Sequence, residues 1–272
     1  IPEKDNSLLV IDDDKNFRSL SFQSSLLDVG IKFMHITVSN EDRFLSHIVL
    51  NQNVIAEEQE YKVNAETKLL LGPEYFILSD EHKNIIPHRN EGEVGGYKIL
   101  ISFGNSDPNR VTYNFLNHIG NLTDICSEVI VVVGSQNSDY DKIKNTVKSH
   151  YKVMLLHNIS NMNEYMAQCH FSITSLGMTF WETVLHDLPS FCIAGSVREM
   201  PVLNYLNRKK YCAELGVFND PDPAYWVQKT KEILTTKERF NIETTRLLNK
   251  INKNGDVLVA INIIKLLKNE SV

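Results

Sequence analysis

This 272-residue chain has no C-x-x-C pair, no basic run and no long apolar run. Its four cysteines (Cys126, Cys169, Cys192 and Cys212) are scattered, which argues against a zinc ribbon or a disulfide framework and fits reduced thiols in a cytoplasmic protein. The formal net charge of -6, with no cluster of lysine and arginine, argues against nucleic acid or an acidic membrane as the main partner. No apolar stretch approaches the roughly 18 residues of a membrane helix, and no charged-then-apolar leader opens the chain. The nine histidines contain no H-x-H or H-E-x-x-H, so no metal site and no metal cofactor are expected. No serine sits in G-x-S-x-G, because Ser175 lacks a glycine two residues before it, and this excludes a nucleophile elbow. There is no internal repeat.

What is present is an ordinary globular composition, 42% hydrophobic and 23% charged. At about 150 residues per domain the length allows two domains. Short apolar runs recur without polar alternation. They are "SLLVID" (7–12), "IKFMHITV" (31–38), "HIVLNQN" (47–53) and "TKLLLG" (67–72), then "YKILISFG" (97–104), "EVIVVVG" (128–134), "KVMLLHNI" (152–159), "FSITS" (171–175) and "SFCIA" (190–194). Such runs predict parallel strands covered on both faces. Helical patterns lie between them. One carries Val111, Phe115, Leu116 and Ile119 on one face. Another starts at Ser160 as N-cap with Met162, Met166 and Cys169 inward. After Ala194 the chain turns helical, with helical stretches over 197–210, 224–236, 237–254 and 256–269.

The polar stretch 79–98 is the best linker. The chain is therefore expected to be α/β, with a first Rossmann-like unit over 1–85, a linker over 86–96, a second unit over 97–255 and a final helix over 256–272. In such folds ligands bind beyond the carboxyl ends of the strands, so those loops carry the candidate chemistry.

The first is "SITSLGMTFWETVLHDLPSFCIA" (172–194). A strand ends in the small-residue turn Ser175-Leu176-Gly177, and a helix opens at once. The N–H groups of Leu176 to Thr179 and the positive helix end can hold a phosphate. Glu182, one turn inside, would repel phosphate but can accept two hydrogen bonds from a vicinal diol such as ribose. The same spacing also suits a plain strand–helix turn with Glu182 facing the helix dipole, and spacing alone leaves both open. "ISFGNSDPNRVT" (101–112) repeats the design, with a turn at Gly104-Asn105 and Asp107 as N-cap of a helix opening near Pro108. "VIDDDKN" (10–16) holds a D-x-D that suits a helix cap better than a metal. "LNQNVI" (50–55) sets Asn51 and Asn53 at a strand end, where they either bind sugar hydroxyls or form an Asx-rich turn. "EVGG" (93–96) precedes a strand and is no dinucleotide fingerprint.

The ordered set "LNQN", "LLLGPEYFIL", "ILISFGNSDPNRVT", "VVVG" and "ITSLGMTFWETVLHDLPSFCIA" resembles the pseudaminic-acid pathway hydrolases and their spore-coat polysaccharide relatives. That resemblance covers most of 7–200. It implies a GT-B-like fold of two Rossmann-like parallel-sheet domains and a UDP-sugar ligand. The implied activity is release of UDP from UDP-2,4-diacetamido-2,4,6-trideoxy-β-L-altropyranose by water, in bacterial surface-polysaccharide or nonulosonic-acid biosynthesis. It also implies a final helix that crosses back to the first domain. By the same resemblance Ser175, Leu176, Gly177, Met178 and Thr179 bind the diphosphate, and Glu182 holds the ribose. Asn158 and Ile159 face the uracil, Gly104 and Asn105 line the phosphate side, and Asn51, Asn53 and Tyr75 line the sugar side.

The family's G-x-G-H-x-x-R loop, which carries its base, is missing. The first domain is therefore expected to be incomplete at its N-terminus by roughly 90 residues. Asp12, Asp13 and His35 are the only ionisable candidates for a base near first-domain strand ends. A GT-B glycosyltransferase using a UDP-sugar donor, and a non-catalytic nucleotide-sugar-binding module or fragment of a larger fusion, are the alternatives.

Overall fold

The computed structural model describes residues 7–12, 17–88, 95–236 and 241–269. The chain divides into two compact units. One comprises Ile1–Lys83 with Asn249–Val272, the other Asn84–Leu248.

In the first unit four parallel strands lie in the order β1-β2-β4-β6. They are β1 (Leu8–Asp12), β2 (Lys32–Ile36), β4 (Ile48–Asn51) and β6 (Lys68–Leu71), and a two-stranded ribbon pairs β3 (Arg43–Phe44) with β5 (Lys62–Val63). Successive residues of a strand point to opposite faces, and both faces of this sheet are covered. Phe33 and Ile11 pack with Leu26 of α1 (Leu20–Asp28). Met34, Ile48, Leu50 and Leu70 pack with Val259, Ile263 and Leu266 of the last helix, α11 (Gly255–Leu267).

Helix α11 is held at both ends. Asp256 in its first turn pairs with Lys83 at 2.6 Å, and that ammonium holds the carboxyl below its ordinary range. At the other end Lys32 Nζ donates to the carbonyls of Leu266 and Leu267 at 2.9 and 3.2 Å. Both charges complement the helix dipole. Gly255 lies against a short 3-10 turn over Pro73–Tyr75, where a Cβ would stand 2.5 Å from the Phe76 carbonyl oxygen and 2.7 Å from its nitrogen. Neither backbone atom can yield easily. Gly255→Ala is therefore expected to cost about 2 kcal/mol, read as an earlier urea transition of the first unit with that of the second unchanged. Equal midpoints would disprove this seating of α11.

The second unit is a six-stranded parallel sheet in the order β12-β11-β10-β7-β8-β9. Its strands are β7 (Tyr97–Ser102), β8 (Cys126–Val133), β9 (Val153–His157), β10 (Phe171–Thr174), β11 (Ser190–Ala194) and β12 (Ala213–Val217). One face buries Ile99, Ile101, Val129, Val131, Ile173 and Ile193 against Val111, Phe115 and Leu116 of α3 (Val111–Leu116) and Trp226 of α9 (Ala224–Thr235). The other buries Leu100, Ile130 and Val132 against Met166 of α6 (Met162–Met166), Cys169 and Leu188. The remaining helices among the described residues are α2 (Asp80–Lys83) in the first unit, and α4 (Gly120–Thr123), α5 (Tyr140–Val147), α7 (Met178–Leu185), α8 (Met200–Arg208) and α10 (Thr244–Leu248) in the second.

Several local expectations are corrected. Strand β12 lies between two expected helices, in a stretch where no element was expected. It is an edge strand, half-buried at four of its five positions, and so lacks the apolar run of its neighbours. Asn161, not Ser160, is the N-cap of α6. Helix α3 starts at Val111, after Arg110 in a left-handed conformation at φ 59°, three residues later than Pro108 suggests. Asp107 still caps it from outside, accepting from Val111 N at 2.9 Å and Thr112 N at 2.8 Å. All four cysteines are free and buried. Burial pushes the thiols of Cys126 and Cys169 up to about 12.

Candidate functional site

All six strands of the second sheet run the same way, so their following loops gather at one edge. The strand order reverses between the neighbours β7 and β10. From β7 the chain moves outward through β8 and β9, and from β10 it moves the other way through β11 and β12. A doubly wound sheet has its ligand crevice at that reversal. Ser102 and Thr174 stand side by side there as the last paired residues of β7 and β10. The two loops that leave them are the two turns singled out from the sequence.

Those turns differ in one respect. After β7, Gly104 takes φ 87° and the buried Asp107 carboxylate fills the start of α3. Burial raises the Asp107 pKa, and the Thr112 hydroxyl and the two backbone N–H bonds only partly oppose it. After β10, α7 begins at Met178 with Gly177 as its N-cap, and no side chain caps it. Gly177 and Met178 are exposed, and a Cβ on Gly177 would meet nothing within 4 Å. The first N–H groups of a helix have no partner inside it. In α7 Phe180 N donates to the Gly177 carbonyl at 3.1 Å, and the N–H groups of Met178 and Thr179 stand before it at the exposed start, with the positive helix end behind them.

The rim is built from two further loops, those after β8 and β11. Gly134, after β8, presses on Asn105 so closely that a Cβ would lie 2.3 Å from the Asn105 Cα, and Ser135 Oγ donates to Asn105 Oδ1 at 3.3 Å. Asn109 Nδ2 donates to the Gly195 carbonyl at 2.7 Å, joining the loops after β7 and β11. Gly195 N and Leu176 N both donate to Glu199 Oε2, each at 3.0 Å. Of the N–H groups expected to be free between Leu176 and Thr179, that of Leu176 is thus already engaged. Glu199 was not among the residues read from the sequence. Its bonds run to residues 23 and 4 positions away, and no spacing rule links them.

The other expected residues are placed as follows. Ser175 and Thr179 are half-buried at the two ends of the open turn, and Glu182 is half-buried one turn into α7. Asn158 is exposed at φ 51° just after β9, and Ile159 packs under it. Beside them the His157 ring stacks on Tyr140 at 3.8 Å. His186 is buried, its Nε2 bonded to Asn163 Oδ1 at 3.0 Å. Asp139, the N-cap of α5, takes Arg110 and Lys142 at 2.6 and 2.8 Å, and those cations, Lys142 first, hold its carboxyl below the ordinary range.

In the first unit the geometry is less receptive. Asn51 is fully buried, its Nδ2 donating to Tyr61 Oη at 2.8 Å and its Oδ1 accepting from Asn53 N at 3.0 Å. Asn53 Oδ1 accepts in turn from Ile55 N at 3.2 Å. These are successive Asx turns, so the amide of Asn51, expected at the sugar side, is consumed inside the protein. Tyr75 is half-buried, and burial followed by Glu74 and Glu57 raises its pKa.

His35, expected as a candidate base, is 1% exposed between Phe33 and Phe44. Burial lowers its pKa, against an opposing contact to the Phe17 backbone. Asp12 ends β1 and is exposed. Asp13 lies outside the described residues. Among the described residues no group of three or more His, Cys, Asp or Glu is placed to hold a metal. No helix among them is long and apolar enough to cross a membrane.

No protein-family model matches the chain. An uncharacterized protein of Methanocaldococcus jannaschii, MJ1062, is 32% identical over 152 residues, which are 52% of this chain and only 31% of that protein. Similar solved structures include MnaA of S. aureus with UDP (TM-score 0.66, 12% identity, 96% of this chain and 74% of that one). MurG of Acinetobacter baumannii gives a TM-score of 0.63 at 10% identity, over 90% of this chain and 70% of that one. UGT2 of Phytolacca americana, complexed with UDP-2fluoro-glucose and pterostilbene, gives 0.61 at 10%, over 96% and 76%. With the sheet orders above, these likenesses show the fold: the chain is a GT-B-type α/β protein of two Rossmann-like parallel-sheet units.

Proposed function

We propose that this chain binds a UDP-sugar through the second unit, with the diphosphate on the open turn between β10 and α7. One observation carries the reading: of two matching turns at the strand reversal, α3 is filled by its own carboxylate while α7 is left uncapped and exposed. A helix start of that kind suits a polyanion and gives little to a neutral ligand.

In this reading the N–H groups of Leu176, Gly177, Met178 and Thr179 take phosphate oxygens, that of Leu176 in exchange for Glu199, with Thr179 adding its hydroxyl. Ser175 and the Gly104–Asn105 turn flank them, and Glu182 accepts from the ribose diol. Asn158 and Ile159 meet the uracil. The ligands of two neighbours, UDP with MnaA and UDP-2fluoro-glucose with UGT2, agree with this assignment.

The same donors favour cleavage of the anomeric C–O bond, because they are fixed where the leaving diphosphate gathers charge. The ordered motifs of the pseudaminic-acid hydrolases support water as the acceptor. The MurG and UGT2 likenesses support a hydroxyl acceptor equally well. His35 is not assigned as base in either case, since it is shut in between two phenylalanines.

Calorimetry with UDP and with uridine tests the binding: UDP should bind at least about tenfold tighter, the share of two or more charge-assisted hydrogen bonds. Equal affinities, or no UDP binding, would sink the assignment. UDP release from a UDP-sugar with and without an added acceptor then separates hydrolysis from transfer.

A further inference from the structure

The carboxylate of Glu199 is seated on one of the donors that the proposed ligand needs. Its Oε2 accepts from Leu176 N and Gly195 N at 3.0 Å each, so one oxygen bridges the loops after β10 and β11. A backbone N–H has a single hydrogen, and a phosphate oxygen can take that of Leu176 only if Glu199 gives it up. Staying in place would leave a carboxylate beside a diphosphate of the same sign, in a half-buried setting where Coulomb repulsion is stronger than in water. The side chain has the freedom to leave. Glu199 is the last residue of a 3-10 turn and the N-cap of α8, so its backbone is fixed while three side-chain torsions remain.

We infer that Glu199 is an internal anion that occupies the Leu176 donor at rest and is displaced by the diphosphate. The inference rests on the UDP reading above and adds to it a residue that sets how tightly the phosphates are held. The chain's own carboxylate stands in for part of the ligand, keeps the turn in its binding shape and lowers the net gain of filling it.

Glu199→Gln tests this, because a carboxamide oxygen can accept the same two N–H bonds without the charge. UDP should bind about fivefold tighter than to the native protein, the difference between displacing a charge-assisted and a neutral hydrogen bond. Uridine should bind unchanged. Glu199→Ala should move UDP affinity in the same direction, which keeps the test open if the glutamine variant folds poorly. UDP affinity unchanged or weakened in both variants, with uridine unaffected, would overturn the inference and make Glu199 a fixed clamp. Parallel losses for UDP and uridine would overturn it too, as a general loosening of the loops. If no protein binds UDP at all, the UDP reading itself fails, and this inference with it.

Discussion

Gly177→Asp is expected to make the protein more stable and nearly unable to bind UDP. Gly177 has φ -82° and ψ -159°, an extended backbone open to any residue, and free space where a side chain would go. An aspartate there becomes an N-cap. It accepts from the N–H groups of α7, complements the helix dipole and removes the excess freedom of glycine in the unfolded chain. Together these should add about 1 kcal/mol, or roughly 2–4 °C in melting temperature for a unit of this size. The same carboxylate fills the phosphate donors and repels the diphosphate. Losing one or two charge-assisted bonds costs about 3 kcal/mol, roughly a hundredfold in Kd. A melt and a UDP titration on one sample check both signs. A variant that melts higher and binds UDP as before would show that the diphosphate sits elsewhere.

Gly134→Ala should be the most damaging single-atom addition at the site. The new Cβ would stand 2.3 Å from Asn105 Cα and 2.4 Å from its carbonyl oxygen, both backbone atoms at the start of the next loop. Relief requires moving either the end of β8 or the Gly104–Asn105 turn, and both strands belong to the core of the second sheet. A loss of about 3 kcal/mol is expected, seen as a lower denaturation midpoint for the second unit. A midpoint within about 0.5 kcal/mol of native, the range of indifferent substitutions, would mean the two loops do not touch as described.

Much of the scaffold could be read from the chain because its strands are covered on both faces. "YKILISFG", "EVIVVVG" and "SFCIA" are almost purely apolar, and the sheet makes them so. The open turn was legible for a related reason: small residues between a strand and a helix leave little else to build. The misses have physical causes as well. Edge strand β12 contains Glu214 and Gly216 and need not be apolar throughout. The ribbon strands β3 and β5 are two residues each, too short for any period to register. His35 looked available because it is ionisable and near a strand end, yet its enclosure depends on Phe44, brought in by a separate strand. Glu199 was invisible because what it binds is backbone, which every residue has.

The separation of Lys83 from Asn249 carries a consequence for how the molecule is made. The first unit is interrupted by the whole of the second, and α11, which covers one face of its sheet, comes after that interruption. On a ribosome adding about 5–20 residues per second, Met34, Ile48, Leu50 and Leu70 must wait on the order of ten seconds, with one sheet face bare, before their cover is translated. The second unit has all its strands by then and can mature first. A nonsense codon or proteolytic nick just after Leu248 would therefore spare the segment with the open turn and leave the earlier-synthesised half as the sticky, aggregation-prone remnant.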